Sequence, residues 1–213
     1  MAEKKTPKSV IVVAVILVVA AAAFIGLWAA NPPFVARMRA SYYAGKIGEG
    51  ASNGALAKKM IDLGKDAALP ATLRLLKSED RQARKHALII IDKLHAQEAA
   101  DAVVDAMKKE KETWIRLYGV MVIAHLFVAQ PEHCDKVVPF LFDEDDSVSN
   151  MARGTMMKVS DLDIPGRTNE QWAEWWKENK ERLQKKAASS EAGSGAAGTN
   201  APLIEEEPPA PAE

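Results

Sequence analysis

The sequence predicts an all-α protein: a single membrane-spanning helix, Val10 to Ala30, then a short solenoid of about three helix pairs. A capping helix closes the solenoid and a disordered tail follows. Three observations predict it. Val10 to Ala30 are 21 consecutive residues without a charge, and a helix of that length rises about 31 Å, the thickness of a bilayer's hydrocarbon core. From Gly54 to Lys186 apolar residues recur at three- and four-residue steps with no alternating, strand-like run, which is helical periodicity. Shifting that stretch by 32 and then 33 residues brings similar residues into register.

The basic segment before the run (Lys4, Lys5, Lys8) raises the possibility of a cleavable signal peptide. The apolar run exceeds the roughly 7–15 residues of a signal core. Trp28 and Leu27 stand where cleavage after Ala30 or Ala29 needs a small residue. An uncleaved anchor is therefore expected, with the bilayer as partner of residues 10–30. Basic residues tie across the span, and Lys8 lies nearer to it than Arg37. That closeness favours a cytoplasmic N-terminus and an exported body. The expected location is a membrane, single-pass, the bacterial inner membrane.

The expected organisation is a basic tail (1–9), the span (10–30), a juxtamembrane helix and linker (31–52), the repeat domain (53–186) and the tail (187–213). Residues 1–52 carry six basic and two acidic side chains, 53–186 carry 22 of each, and 187–213 carry five acidic and none basic. A balanced domain offers no broad attraction to nucleic acid. The one cysteine, Cys134, excludes an intramolecular disulfide, and is read as a buried, inert thiol.

Short polar turns near 78–80, 96–98, 110–112, 130–133 and 143–147 divide the repeat domain into helices. The register columns are Leu75/Met107/Phe140, Ala83/Ile115/Val148, Ala87/Gly119/Ala152, Ile91/Ile123/Met156 and Leu94/Leu126/Val159. Arg84 and Arg116 share a column in which the third unit has Ser149. Each pair carries an apolar face that stacking hides. The small column implies close helix approach, and Pro139 implies a kink or late start in the third unit's first helix.

The segments GALAKKMIDLGKDAALPATLRLLKSEDRQARKHALIIIDKL and VVDAMKKEKETWIRLYGVMVIAHL resemble HEAT repeats of the bacterial type, an armadillo-like α-solenoid. LGKDAALPATLRLL, with Pro70 at the first turn, is the most family-like piece. The resemblance covers about 53–160 and implies architecture rather than chemistry. It also implies structural roles for Arg84 and Arg116, which would bond an acidic turn or a neighbouring carbonyl.

The capping helix is expected over 168–186. Thr168 with Gln171 forms a capping box, and Trp172, Trp175 and Trp176 fall on one stripe, read as a hydrophobic plug of the solenoid's end, with an exposed contact stripe as the alternative. The tail 187–213, rich in Ala, Gly, Ser, Pro and Glu, cannot bury a core; within it PLIEEEPPAP has the form of a linear motif.

None of His86, His95, His125 and His133 sits in an HExxH motif or directly precedes a glutamate. The run 143–146 lacks the glycine and distal glutamate of a calcium loop, and no phosphate-cradling loop is present. The expectation is a non-enzyme without metal or cofactor: a membrane-tethered protein–protein interaction or scaffold module with an unidentified protein partner. An accessory or lyase-like HEAT enzyme and a structural subunit of an envelope complex are the alternatives.

Overall fold

The computed structural model describes residues 32–49, 54–162 and 166–194, and positions 13, 15–19, 22 and 26. Every regular element among them is helical: α1 (Pro32–Gly48), α2 (Gly54–Asp62), α3 (Lys65–Leu75), α4 (Arg81–Lys93), α5 (Ala100–Met107), α6 (Thr113–Leu126), α7 (Asp146–Ser160) and α8 (Asn169–Ser194), with 3-10 turns at Gln97–Ala99, Pro131–Lys136 and Val138–Phe140.

The helices lie in two layers. In the second layer α2 packs on α4, α4 on α6 and α6 on α7; in the first, α1 packs on α3. The 3-10 segment 131–140 takes the first-layer place beside α7. Pro139 supplies the reason, since it has no N–H for an α-helical bond to residue 135 and the chain tightens into 3-10 turns instead. Asp80 and Asp145 are N-caps of α4 and α7, and accept from Gln82 N and Ser147 N, each at 2.9 Å. Such caps satisfy amides that the first helical turn leaves unpaired.

The columns of the 32/33-residue register form the core. Ala83, Ile115 and Val148 are completely buried, as are Ile91, Ile123 and Met156. Gly119 lies where α6 meets Met107 of α5, and a Cβ built there would overlap Cγ and Sδ of that side chain. Gly119→Ala therefore sets an overpacking cost of about 1–3 kcal/mol against a helix-propensity gain of about 1 kcal/mol. A net loss of about 1 kcal/mol is expected, read as a melting point lowered by roughly 2–4 °C.

The expected membrane span does not hold. Among the described residues no helix is long and apolar enough to cross a membrane. Of Val10 to Ala30, only positions 13, 15–19, 22 and 26 are described, and they are helical and exposed; the remainder lies outside the described residues. The two longest helices among those set out above carry charge: α1 has Arg37, Arg39 and Lys46, and α8 is rich in Lys and Glu. A span needs about 20 consecutive helical, largely uncharged residues, which none of the described helices offers. Single-pass membrane localisation, and the fold class that began with a transmembrane helix, are therefore not supported.

Two boundaries also differ. Residues 34–48, expected to be a juxtamembrane helix outside the domain, contribute Ala40, Ala44 and Ile47 to the core, so a pair α1/α2 precedes the three units seen in the register. Pro32 and Pro33 open α1, where their missing N–H groups cost nothing. Pro70 lies inside α3 rather than in its first turn. At the other end helix α8 runs to Ser194, so 187–194, expected to be disordered, is helical; residues 195–213 lie outside the described residues.

Candidate functional site

The polar side chains sort into a ladder along one edge of the stack, a plug at its end and an open face on the second layer.

Arg84 donates from Nε and NH2 to Glu110 Oε2 (2.5 Å) and Oε1 (3.0 Å), and from NH1 to the carbonyls of Ser78 and Glu79. One unit on, Arg116 donates from Nε and NH2 to both oxygens of Asp143, and from NH1 to the carbonyls of Glu110 and Lys111. Each arginine thus closes the turn of its own unit and holds the carboxylate that opens the next turn. Glu110 Oε1 also accepts from the amides of Lys111 and Glu112, and Asp143 Oδ1 from that of Asp145. Ser78 Oγ does the same for Asp80 at the first turn, and Ser149 ends the series. Burial pushes the Glu110 carboxyl up, but the Arg84 guanidinium and the amides of Glu112 and Lys111 outweigh it and hold it below its ordinary 4.5.

Two grooves follow this edge. One of about 850 Å³ has Leu76, Ala102 and Ala106 on its floor, and one of about 350 Å³ lies between Met107, Pro139 and Phe140. Their most buried charged groups, Arg84 with Glu110 and Arg116 with Asp143, are already spent on each other. The ladder residues accordingly act as a structural staple.

At the far end the capping box is reciprocal: Thr168 N donates to Gln171 Oε1 (2.9 Å) and Gln171 N to Thr168 Oγ1 (3.3 Å). It sets the start of α8 so that Trp172 and Trp176 are buried against α7 and the 131–140 turns, while Trp175 is half-buried with its ring edge-on to Trp172 at 5.7 Å. The Arg167 guanidinium lies 5.0 Å from the Trp172 ring centre. Cys134 is completely buried nearby, and burial, with Asp135 and Glu132 adding to it, pushes its thiol up to about 12. A thiolate is the reactive species, so no labelling by a thiol-specific chromogenic disulfide is expected in the folded chain, and one thiol per chain after unfolding.

The third feature is the outward face of the second layer. Side chains not buried recur along α4 at Arg81, Lys85, Ile89 and Lys93, and along α6 at Trp114, Leu117, Met121 and His125. Two contacts tie these stripes into one surface. Lys85 Nζ stands 5.5 Å from the Trp114 ring centre, and His125 Nδ1 lies 3.0 Å from Asp92 Oδ1. Trp114 remains 39% exposed, too much for a core residue of its size. On α7, Met151 and Met157 are half-buried and Lys158 is exposed, its carbonyl accepting from Ala129 N beyond the end of α6. Arg81, Lys85, Lys93 and Lys158 have no carboxylate partner among the described residues, and Asp92 is spent on His125.

Sequence reasoning singled out the arginines of the ladder but not Glu110, and it passed over the Trp114 face. Applying the 33-residue offset to polar as well as apolar positions would have paired Glu110 with Asp143 of the acidic turn. The i, i+3, i+7, i+11 spacing of Trp114, Leu117, Met121 and His125 was the signal for the face. Among the described residues no group of three or more His, Cys, Asp or Glu side chains could hold a metal ion. No family model matches the chain, and none of the curated proteins compared with it matches.

Proposed function

We propose that the chain is a HEAT-type helical-repeat module that binds another protein through the outward face of α4, α6 and α7. The observation that carries this reading is Trp114: a large aromatic side chain braced by Lys85 yet open to solvent, among Ile89, Leu117 and Met121 and rimmed by basic residues. Tryptophan is the residue type most enriched among those that dominate interface energies. Methionine suits a surface that must adapt to its partner. A preformed, stapled stack holds these groups without an ordering cost on binding.

The test is chemical crosslinking of the full chain in its native cell, followed by mass spectrometry, with Trp114→Ala beside wild type. The expected result is a specific partner protein whose crosslink yield falls at least tenfold in the variant, the equivalent of about 1.4 kcal/mol. The variant's melting point should stay close to that of wild type, because Trp114 lies outside the core. A partner retained at full yield by Trp114→Ala would overturn the reading.

A further inference from the structure

We propose that the occupant of this face is an acidic amphipathic helix of another protein, lying along the seam between α4 and α6. The inference rests on the face being a binding surface and adds the partner's chemistry: an apolar stripe with carboxylates on its flank.

Shape is the first argument. Lys85 over the Trp114 ring and Asp92 beside His125 join α4 to α6 at two points. Both members of these pairs advance along the chain together, so the two helices run in the same direction. The half-buried side chains between those points are Ile89 on α4 and Leu117, Tyr118 and Met121 on α6. Arg81, Lys85, Ile89 and Lys93 stand four residues apart on one helix, as do Leu117, Met121 and His125 on the other. Side chains at that step form ridges, and the furrow between two ridges takes a ridge of a third helix. From Trp114 to His125 the furrow runs about 16 Å, which is three turns of a partner helix.

Charge is the second argument, and it gives the partner its sign. Arg81, Lys85 and Lys93 have no carboxylate partner among the described residues. Helix α6 contains no acidic residue, and the one acid within α4, Asp92, is bonded to His125. The carboxylates just ahead of the two helices are placed elsewhere: Asp80 caps α4, and Glu79 and Glu112 line the ladder groove. The rim is therefore cationic along α4. A docked helix with carboxylates on that flank meets the cations while its apolar stripe covers Ile89, Trp114 and Met121.

A nucleic acid fits this surface less well. Base stacking needs an open ring face, and Lys85 already stands over the Trp114 ring. Residues 53–186 carry as many acidic as basic side chains, without the excess that a phosphate backbone selects.

The test is fluorescence anisotropy of the full chain against two labelled synthetic peptides of about 18 residues, long enough to form a helix. Both carry leucines at the same three- and four-residue steps; glutamates flank the stripe in one and lysines in the other. The expected result is that the acidic peptide binds at least tenfold tighter than the basic one. Lys85→Glu/Lys93→Glu should erase that preference, as should about 0.5 M salt, where the screening length falls to a few ångström. Lys109→Glu/Lys180→Glu, at exposed lysines of α8 and the ladder groove, should preserve it. Equal binding of the two peptides, binding of neither, or an acidic preference that survives Lys85→Glu/Lys93→Glu would overturn the proposal. So would a single-stranded oligonucleotide that outcompetes the acidic peptide, which makes nucleic acid the occupant. Equal binding that is lost in Trp114→Ala overturns only the charge and leaves the face standing. Peptide binding indifferent to Trp114→Ala overturns the face itself.

Discussion

Replacing Arg116 by alanine is expected to lower the unfolding free energy by about 3–5 kcal/mol, the cost of removing one partner from a buried ion pair. The side chain is 7% exposed and its carboxylate partner Asp143 is 11% exposed. The substitution leaves Asp143 desolvated, and it orphans the carbonyls of Glu110 and Lys111, which Arg116 NH1 now caps. Urea unfolding followed by circular dichroism checks this. A smaller loss is expected for Arg84→Ala, because Arg84 is 18% exposed and water can replace part of its bonding. The double change Arg116→Met/Asp143→Leu should recover much of the loss, since no charge is left buried.

The same ladder sets a pH dependence. Glu110 has its carboxyl held below the ordinary value of 4.5, so the folded chain binds the proton less tightly than the unfolded chain does. Its contribution is complete above the unfolded value and is lost as pH falls below about 4.5 through the depressed folded one. A midpoint-against-pH profile should therefore fall on the acid side in wild type, and fall less in Glu110→Gln.

Replacing Trp172 by alanine is expected to cost about 3–5 kcal/mol, the range for truncating a large buried aromatic. Trp172 is completely buried at the end of the stack, where it seals the last apolar layer and meets the Trp175 ring edge-on. Terminal units need such a seal, because no further repeat covers them. Trp175→Ala should cost distinctly less, since that ring is half-buried. Thermal melts of the two variants decide between a plug, which predicts this order, and an exposed contact stripe, which predicts small losses for both.

How much of this was legible in the sequence follows from which interactions leave a period. The apolar columns were visible because burial acts on every unit alike, and Ala83, Ile115 and Val148 all reach full burial. Half of the ladder was visible: the arginines repeat, but Glu110 and Asp143, 26 and 27 residues from their arginines, differ in type from each other and from the first-turn Ser78. Helix α1 was read as a helix but placed outside the domain, because its small residues Ala40 and Ala44 leave a weak apolar pattern although both are buried. The apolar run at 10–30 was read from composition alone, whereas no helix among the described residues is long and apolar enough to cross a membrane. The Trp114 face left only the spacing of four residues on one helix; a neighbour's charge, Lys85 over the ring, becomes visible only when α4 and α6 are side by side.

The proposed partner-binding role rests on the outward face of the second layer. Its most direct test places a photo-reactive amino acid at position 121 on that face and, in a separate chain, at position 105 on the first layer. Irradiation in living cells is followed by identification of the crosslinked product. One discrete product is expected from position 121, absent from 105 and abolished by Trp114→Ala. The same product from both positions, or none from 121 under conditions where 105 crosslinks, would contradict it.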